Sequence, residues 1–282
     1  MKTNRLHIGK IILTLVLVLS FALISAPTTD ARAAKLTEKK AQKILKKKVS
    51  GKFCHYAFID LDNDKISEMV VLGYSGKFYQ GDDKKKTITV YKVVNGKAKS
   101  LFSDSMKGDF FHPSITFRIY SDPIGARYLM VNKEHEGYCL YTMYTLLDGK
   151  MAEITNKDVS DAEFKYFIRQ EEVSEVEYED FMGAMDEIDV KVISSSTKIA
   201  NKYVRKLLKA EFNFECKNGV FDKDIVSPVF SDENGDGIDE LIVREGPLGG
   251  KILYAYLTEY NYDYMVDTTE YSLNNGWVEY GD

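Results

Sequence analysis

The sequence predicts an α+β protein, mainly antiparallel β-meander repeats with a short helix preceding each of two acidic loops. Three observations carry that expectation. Aromatic residues make up 12% of the 282 residues, with 19 tyrosines and 15 phenylalanines, and such side chains favour pleated, half-buried strands. An alternating motif that runs into Asn-Gly or Asp-Gly occurs three times. A lysine-rich amphipathic stretch, followed by an acidic loop and an apolar run, occurs twice. Hydrophobic residues at 44% and charged residues at 29% exclude a disordered tail and a polytopic membrane protein. A net charge of −5 without a block of arginines argues against nucleic acid as a partner.

The chain opens on an address. Lys2, Arg5 and Lys10 lead into an apolar run from Ile11 to Ala26, 16 residues long and short of the roughly 20 that a spanning helix needs. Ala31, Arg32 and Ala33 then form a small-x-small cleavage pattern. Residues 1–33 are therefore expected to be a secretory signal peptide rather than an uncleaved anchor. No second apolar span follows, so a secreted or cell-surface protein without a membrane span is expected after cleavage. It would carry 34 Lys+Arg against 42 Asp+Glu, a net −8. Two domains are expected in it. Residues 34–192 form a helix, a β-meander and an acidic helical tail, and 193–282 form a second helix with its own β-repeat.

Residues 36–49 put Ala41, Ile44, Leu45 and Val49 on one face with lysines opposite, the signature of an amphipathic helix. Residues 197–212 do the same with Ile199, Tyr203, Val204, Leu207 and Leu208. The apolar runs Met69 to Leu72 and Leu241 to Val243 read as strands after the acidic loops. Thr89, Tyr91, Val93, Asn95 and Gly96 share their spacing with Thr142, Tyr144, Leu146, Asp148 and Gly149, and with Thr269, Tyr271, Leu273, Asn275 and Gly276. Asn-Gly and Asp-Gly supply the positive φ angles of a tight hairpin. A meander without an acidic loop is expected over 115–154. Residues 153–189 hold thirteen Asp+Glu against three Lys+Arg, read as a solvated face. Within them Ser174 and Glu177 suit a capping box, opening a helix with Tyr178, Phe181, Met182 and Met185 inward. Ser194, Ser195 and Ser196 read as a linker.

The two acidic loops carry the chemistry. Asp60, Asp62, Asp64 and Glu68 stand at relative positions 1, 3, 5 and 9, and Asp232, Asn234, Asp236 and Glu240 repeat the scheme. A hard cation such as Ca²⁺ takes six to eight oxygens at about 2.3–2.6 Å from a sharply turned backbone. Alternate residues of a tight loop aim inward, and position 7 (Ile66, Ile238) offers its carbonyl. Gly237 at position 6 provides the positive φ of the turn. An EF-hand is disfavoured, because its position 12 is a bidentate Glu that exits into a helix, whereas Val71 and Val243 stand there in apolar runs.

The stretches YAFIDLDNDKISEMVVL and VFSDENGDGIDELIV resemble the D-x-D-x-D-G-x-x-[DE] loops of FG-GAP and VCBS repeats in extracellular bacterial proteins and integrin-type propellers. The likeness covers two loops, their strands and hairpins, about a third of the exported chain. It implies a secreted or surface β-repeat protein with structural calcium. Lys65 departs from the family glycine, straining the turn and bringing a cation near the site. Asn234 departs less, since an amide oxygen still ligates. The alternative for each loop is a solvated acidic turn capping a strand. Affinity for such a module is expected around 10⁻⁴–10⁻³ M.

Little else suggests catalysis. His55, His112 and His135 do not stand at zinc spacing, although His135 between Glu134 and Glu136 suits a transition metal as well as a solvated loop. No nucleophile elbow, P-loop or dinucleotide fingerprint occurs. Gly246 to Gly250 reads as a turn. Cys54, Cys139 and Cys216 are odd in number, without a C-x-x-C, and read as small buried apolar residues. Tyr254, Tyr256, Tyr260, Tyr262 and Tyr264 alternate; with Trp277 they suit either a packed sheet face or a platform for a glycan or a surface protein. The leading expectation is a non-enzymatic binding or surface-associated module. The alternative is a secreted hydrolase of glycans or cell-wall polymer using two carboxylates.

Overall fold

A computed structural model describes residues 36–75, 84–108, 114–135, 138–160, 163–222, 226–244, 249–257, 264–274 and 277–280. The expected signal peptide lies outside them, as do His112, Tyr260 and Tyr262. The side chains of His135, Tyr256, Tyr264 and Trp277 are likewise outside the described ones.

The chain is mostly antiparallel β-sheet with three helices among the described residues. Helix α1 (Glu38–Lys46) begins where the Thr37 hydroxyl accepts the Lys40 N–H. Glu38 stands in its first turn and Lys43 and Lys46 in its last, the order that suits the helix dipole. Ala41 and Leu45, one turn apart, are fully buried. Strands β1 (Cys54–Ile59), β2 (Glu68–Ser75), β3 (Lys84–Val94) and β4 (Lys97–Gly108) then form a meander, with α1 packed on β3 and β4.

A second meander follows: β5 (Ser114–Ser121), β6 (Arg127–His135), β7 (Tyr138–Leu147), β8 (Lys150–Ser160), β9 (Glu163–Ile168) and β10 (Glu171–Val173). The two hairpin motifs fold alike. Asn95 and Gly96 take φ of 51° and 71°, and Asp148 and Gly149 take 49° and 73°, the paired positive values that match the twist of the strands. Each hairpin also shifts register at the same motif position, between Val90 and Tyr91 and between Met143 and Tyr144.

Helix α2 (Glu175–Gly183) opens on the expected capping box of Ser174 and Glu177. It buries Tyr178 against Tyr166, their ring centroids 5.2 Å apart. Strand β11 (Asp186–Ile188) pairs with β5, and β12 (Ile193–Ser194) pairs with β1. This stretch therefore stitches the edges of both sheets. The serines expected to form a linker dock instead. Ser194 Oγ meets His55 Nδ1 at 3.0 Å, and Ser195 Oγ accepts the Cys54 N–H at 2.9 Å. A serine-rich run satisfies an edge strand with side-chain oxygens as readily as it solvates, which composition alone does not distinguish.

Helix α3 (Thr197–Lys217) is followed by β13 (Ser227–Ser231), β14 (Glu240–Arg244), β15 (Gly249–Leu257), β16 (Tyr264–Asn274) and β17 (Trp277–Tyr280), a third antiparallel sheet. The Asn275–Gly276 turn is outside the described residues, but Asn274 faces Trp277, leaving a two-residue connection. Gly249 and Gly250, expected in a turn, begin β15. A Cβ on Gly250 would meet the Val243 carbonyl oxygen at 2.1 Å, so this crossing requires glycine.

Burial follows the strand period. Alternate residues Ala57 and Ile59, Val70 and Leu72, and Ile88 and Val90 of the first sheet share one core with Ile115, Ile119, Leu129 and Val131 of the second. The other core joins Ala200, Val204, Leu208 and Phe212 of α3 to Ile238, Leu241, Val243 and Leu253.

Candidate functional site

Both acidic loops bridge the two strands of a hairpin with the same register. Ile59 faces Glu68 across one loop and Ser231 faces Glu240 across the other. Three internal hydrogen bonds of each loop correspond residue by residue. The position-1 carboxylate accepts the position-6 N–H: Lys65 to Asp60 at 3.1 Å and Gly237 to Asp232 at 3.0 Å. The position-5 carboxylate accepts the position-7 N–H, from Ile66 and from Ile238, at 2.7 Å in each. The position-9 glutamate reaches back to the position-2 N–H, Leu61 at 2.8 Å and Glu233 at 2.7 Å. Positions 4 and 6 have positive φ in both: Asn63 59° and Lys65 70°, Gly235 78° and Gly237 83°. The preceding helix holds position 8 in each case. Glu38 accepts from Ser67 N and Oγ at 2.8 Å, while Asn201 bonds the Asp239 backbone and Arg205 pairs with the Asp239 carboxylate.

The loops differ at their centres. In loop 60–68 the Lys92 ammonium, projecting from β3, lies 2.5 Å from Asp62, 2.9 Å from Asp64 and 2.7 Å from Glu68. The Glu68 side chain is 0% exposed. Burial pushes its carboxyl up to about 7 despite the hydrogen bonds from Lys92 and from Leu61 N–H. Burial also opposes the Lys92 charge, but hydrogen bonds to Asp62, Glu68 and Asp64 outweigh it and hold the ammonium above its ordinary range. Carboxylates in excess of ammonium retain protons at both kinds of group. Asp60, Asp62 and Glu68 each bring an oxygen within 4.8 Å of the others. Oδ1 of Asp60 and Oδ1 of Asp62 are buried without a hydrogen-bond donor among the described residues.

That donor set fits a hard cation, and the Lys92 ammonium lies at two of the same carboxylates, Asp62 and Glu68. Ca²⁺ at about 2.3–2.6 Å from these oxygens and an ammonium at 2.5–2.9 Å exclude one another. Lys65 is not the cation foreseen from the sequence; it gives the loop a backbone N–H and a strained φ. In loop 232–240, Asn234 Nδ2 donates to Glu240 Oε1 at 3.1 Å, and its Oδ1 accepts the Asp236 N–H at 2.9 Å. The amide nitrogen thus serves the same glutamate oxygen, Oε1, that Lys92 serves in the first loop. A cation here fits the donor chemistry once the amide turns its oxygen inward. Glu240 is buried, and burial raises its carboxyl, with Asp236 and Asp232 adding to the rise.

Lys92 is the residue that loop-centred reading misses. Its signal lay in the hairpin motif, where the position after the shared tyrosine is Lys92, Thr145 and Ser272 in the three copies. Among the other candidates, Cys54 is buried as expected, whereas Cys139 and Cys216 are only half-buried. His55 is buried against Ser194, and Tyr254 donates to Asp267 at 3.3 Å. Compared with protein-family models, curated proteins and solved structures, the chain matches none.

Proposed function

We propose that this is an exported, non-enzymatic binding or surface-associated module of repeated β units, each acidic loop stapled by a cation. In loop 60–68 the cation is Lys92. In loop 232–240 it is calcium, held by Asp232, Asn234, Asp236, the Ile238 carbonyl and Glu240. The carrying observation is that two loops share three hydrogen bonds and a φ pattern while, among the described residues, an ammonium centres only the first. The second has the same need for positive charge near a buried glutamate. The partner classes are a glycan or a surface protein.

Thermal melts with millimolar calcium and with chelator test the staple. Calcium at a few times its Kd stabilises by about 1–2 kcal/mol, a rise of roughly 2–8 °C in a chain of this size. The rise should vanish in Asp232→Asn and persist in Asp62→Asn. Equal midpoints with calcium and with chelator would remove calcium from the reading. A glycan array then separates glycan from protein partners.

The competing reading, a carboxylate-dependent hydrolase, draws on Glu68 titrating near neutrality. That side chain is fully buried with both oxygens hydrogen-bonded, a poor position for touching a substrate. Polysaccharide turnover abolished by Glu68→Gln would favour it.

A further inference from the structure

Past the C-terminus of α1, whose N-terminal Glu38 clasps loop 60–68, a cavity of about 440 Å³ opens between the α1–β1 turn, strands β2 and β3, and α3. Its volume lies in the range of ligand pockets, roughly 300–1,000 Å³. Six lysines line it: Lys48, Lys52, Lys85, Lys86, Lys202 and Lys206. No aspartate or glutamate does so among the described residues. This is the reverse of the chain as a whole, which has a net charge of −5.

Lys48 and Lys86 pack over the rings of Tyr91 and Tyr74, each 5.9 Å from the centroid, whereas Lys52, Lys85, Lys202 and Lys206 have no ring partner among the described residues. Lys202 and Lys206 are one turn apart on α3, and like charges at that spacing destabilise a helix by about 0.2–0.5 kcal/mol. Lys48, Lys52, Lys85, Lys202 and Lys206 make no ion pair among the described residues, although carboxylates are paired elsewhere at Lys92, Lys133 and Arg205. Stacked aromatic rings form one wall of the cavity. Phe53 stacks on Tyr203 with centroids 4.0 Å apart and planes at 21°, and Tyr74 lies 5.2 Å from Phe53. Gly73, also in the lining, packs closely on Thr87, whose hydroxyl a Cβ there would approach to 3.1 Å.

We propose that this cavity binds a multiply charged, phosphate-bearing anion, neutralised by the lysines and seated against the aromatic wall. Lysine ammoniums bind phosphate as point charges, so the anion carrying the most charge is held tightest, and no arginine lines the cavity among the described residues. No residue of either acidic loop lines the cavity, so its test runs in calcium-free buffer and fails or succeeds apart from the calcium reading.

The experiment is calorimetric titration of the whole chain with inorganic tripolyphosphate, with citrate as a carboxylate comparator, at low and at physiological salt. Expected are saturable binding with one site, at least tenfold tighter than citrate, and weakening as salt rises. The double substitution Lys202→Glu and Lys206→Glu, both exposed on α3, should cost at least tenfold in affinity with an unchanged melting point. Lys209→Glu, exposed on the same helix but outside the cavity, should cost nothing. Lys52→Glu, exposed on the α1–β1 turn, provides a second cavity variant if the pair disturbs folding. Absence of tripolyphosphate binding, equal affinity for citrate, or equal loss in Lys209→Glu would each overturn the proposal.

Discussion

Lys92 and Lys65 show how one residue type solves and creates problems in the same loop. The Lys92 ammonium balances three carboxylates at 2.5–2.9 Å, two of them in partly or fully buried surroundings. Removing one partner of a buried charge pair costs about 3–5 kcal/mol, because the other is left uncompensated. Lys92→Met should therefore lose about that much in urea unfolding without calcium. Millimolar calcium should restore part of the loss, since the vacated position is ringed by oxygens. A variant as stable as the parent would show that the ammonium is incidental. Lys65 instead holds φ at 70°, a conformation costing an L-residue about 1 kcal/mol or more. Lys65→Gly should gain roughly 1 kcal/mol despite glycine's greater freedom in the unfolded chain. A loss of stability in the same denaturant series would show that the Lys65 side chain contributes something beyond the turn.

At the scale of elements, hairpins and helices bury tyrosines whose hydroxyls then resist ionisation. Burial pushes Tyr144 of β7 up to about 12, with Asp104 and Glu153 adding repulsion. Burial does the same to Tyr178 of α2, also to about 12. A group whose pKa is higher folded than unfolded contributes its full stability below the unfolded value. That contribution is lost as pH rises through the folded value. Melting temperature should therefore fall between about pH 10 and 12. Tyr144→Phe and Tyr178→Phe should each flatten that fall; an unchanged slope in both would place the alkaline loss elsewhere. The same elements show what local sequence legibly encodes. Asn95–Gly96 and Asp148–Gly149 gave their turns, and Ser174 and Glu177 gave their cap, because each depends on dihedral preferences and contacts within a few residues.

The whole molecule is joined by residues whose importance local reading understates. Ser195 Oγ meets the backbone of both Lys52 and Cys54 at 2.9 Å, fixing the segment that leads from β12 into α3. Ser195→Ala takes the hydroxyl acceptor from the partly buried Cys54 N–H and should cost about 0.5–1.5 kcal/mol, read as a shift in the urea midpoint. A shift indistinguishable from zero would return the serines to the role of a linker. The same segment brings α3 beside β1 and so closes the lysine-lined cavity. No single stretch of sequence contains that cavity, because its lysines come from the turn after α1, from β3 and from α3.

By itself, the sequence determined the three described helices, the tight hairpins and the two loops with acids at alternate places. Periodicity, turn chemistry and capping act over a few residues and need no distant partner. Only the tertiary structure decided which cation faces which loop. Lys92 stands 24 to 30 residues from the carboxylates it neutralises and reaches them through the pairing of β2 with β3, and that register is set by burying alternate side chains in a shared core.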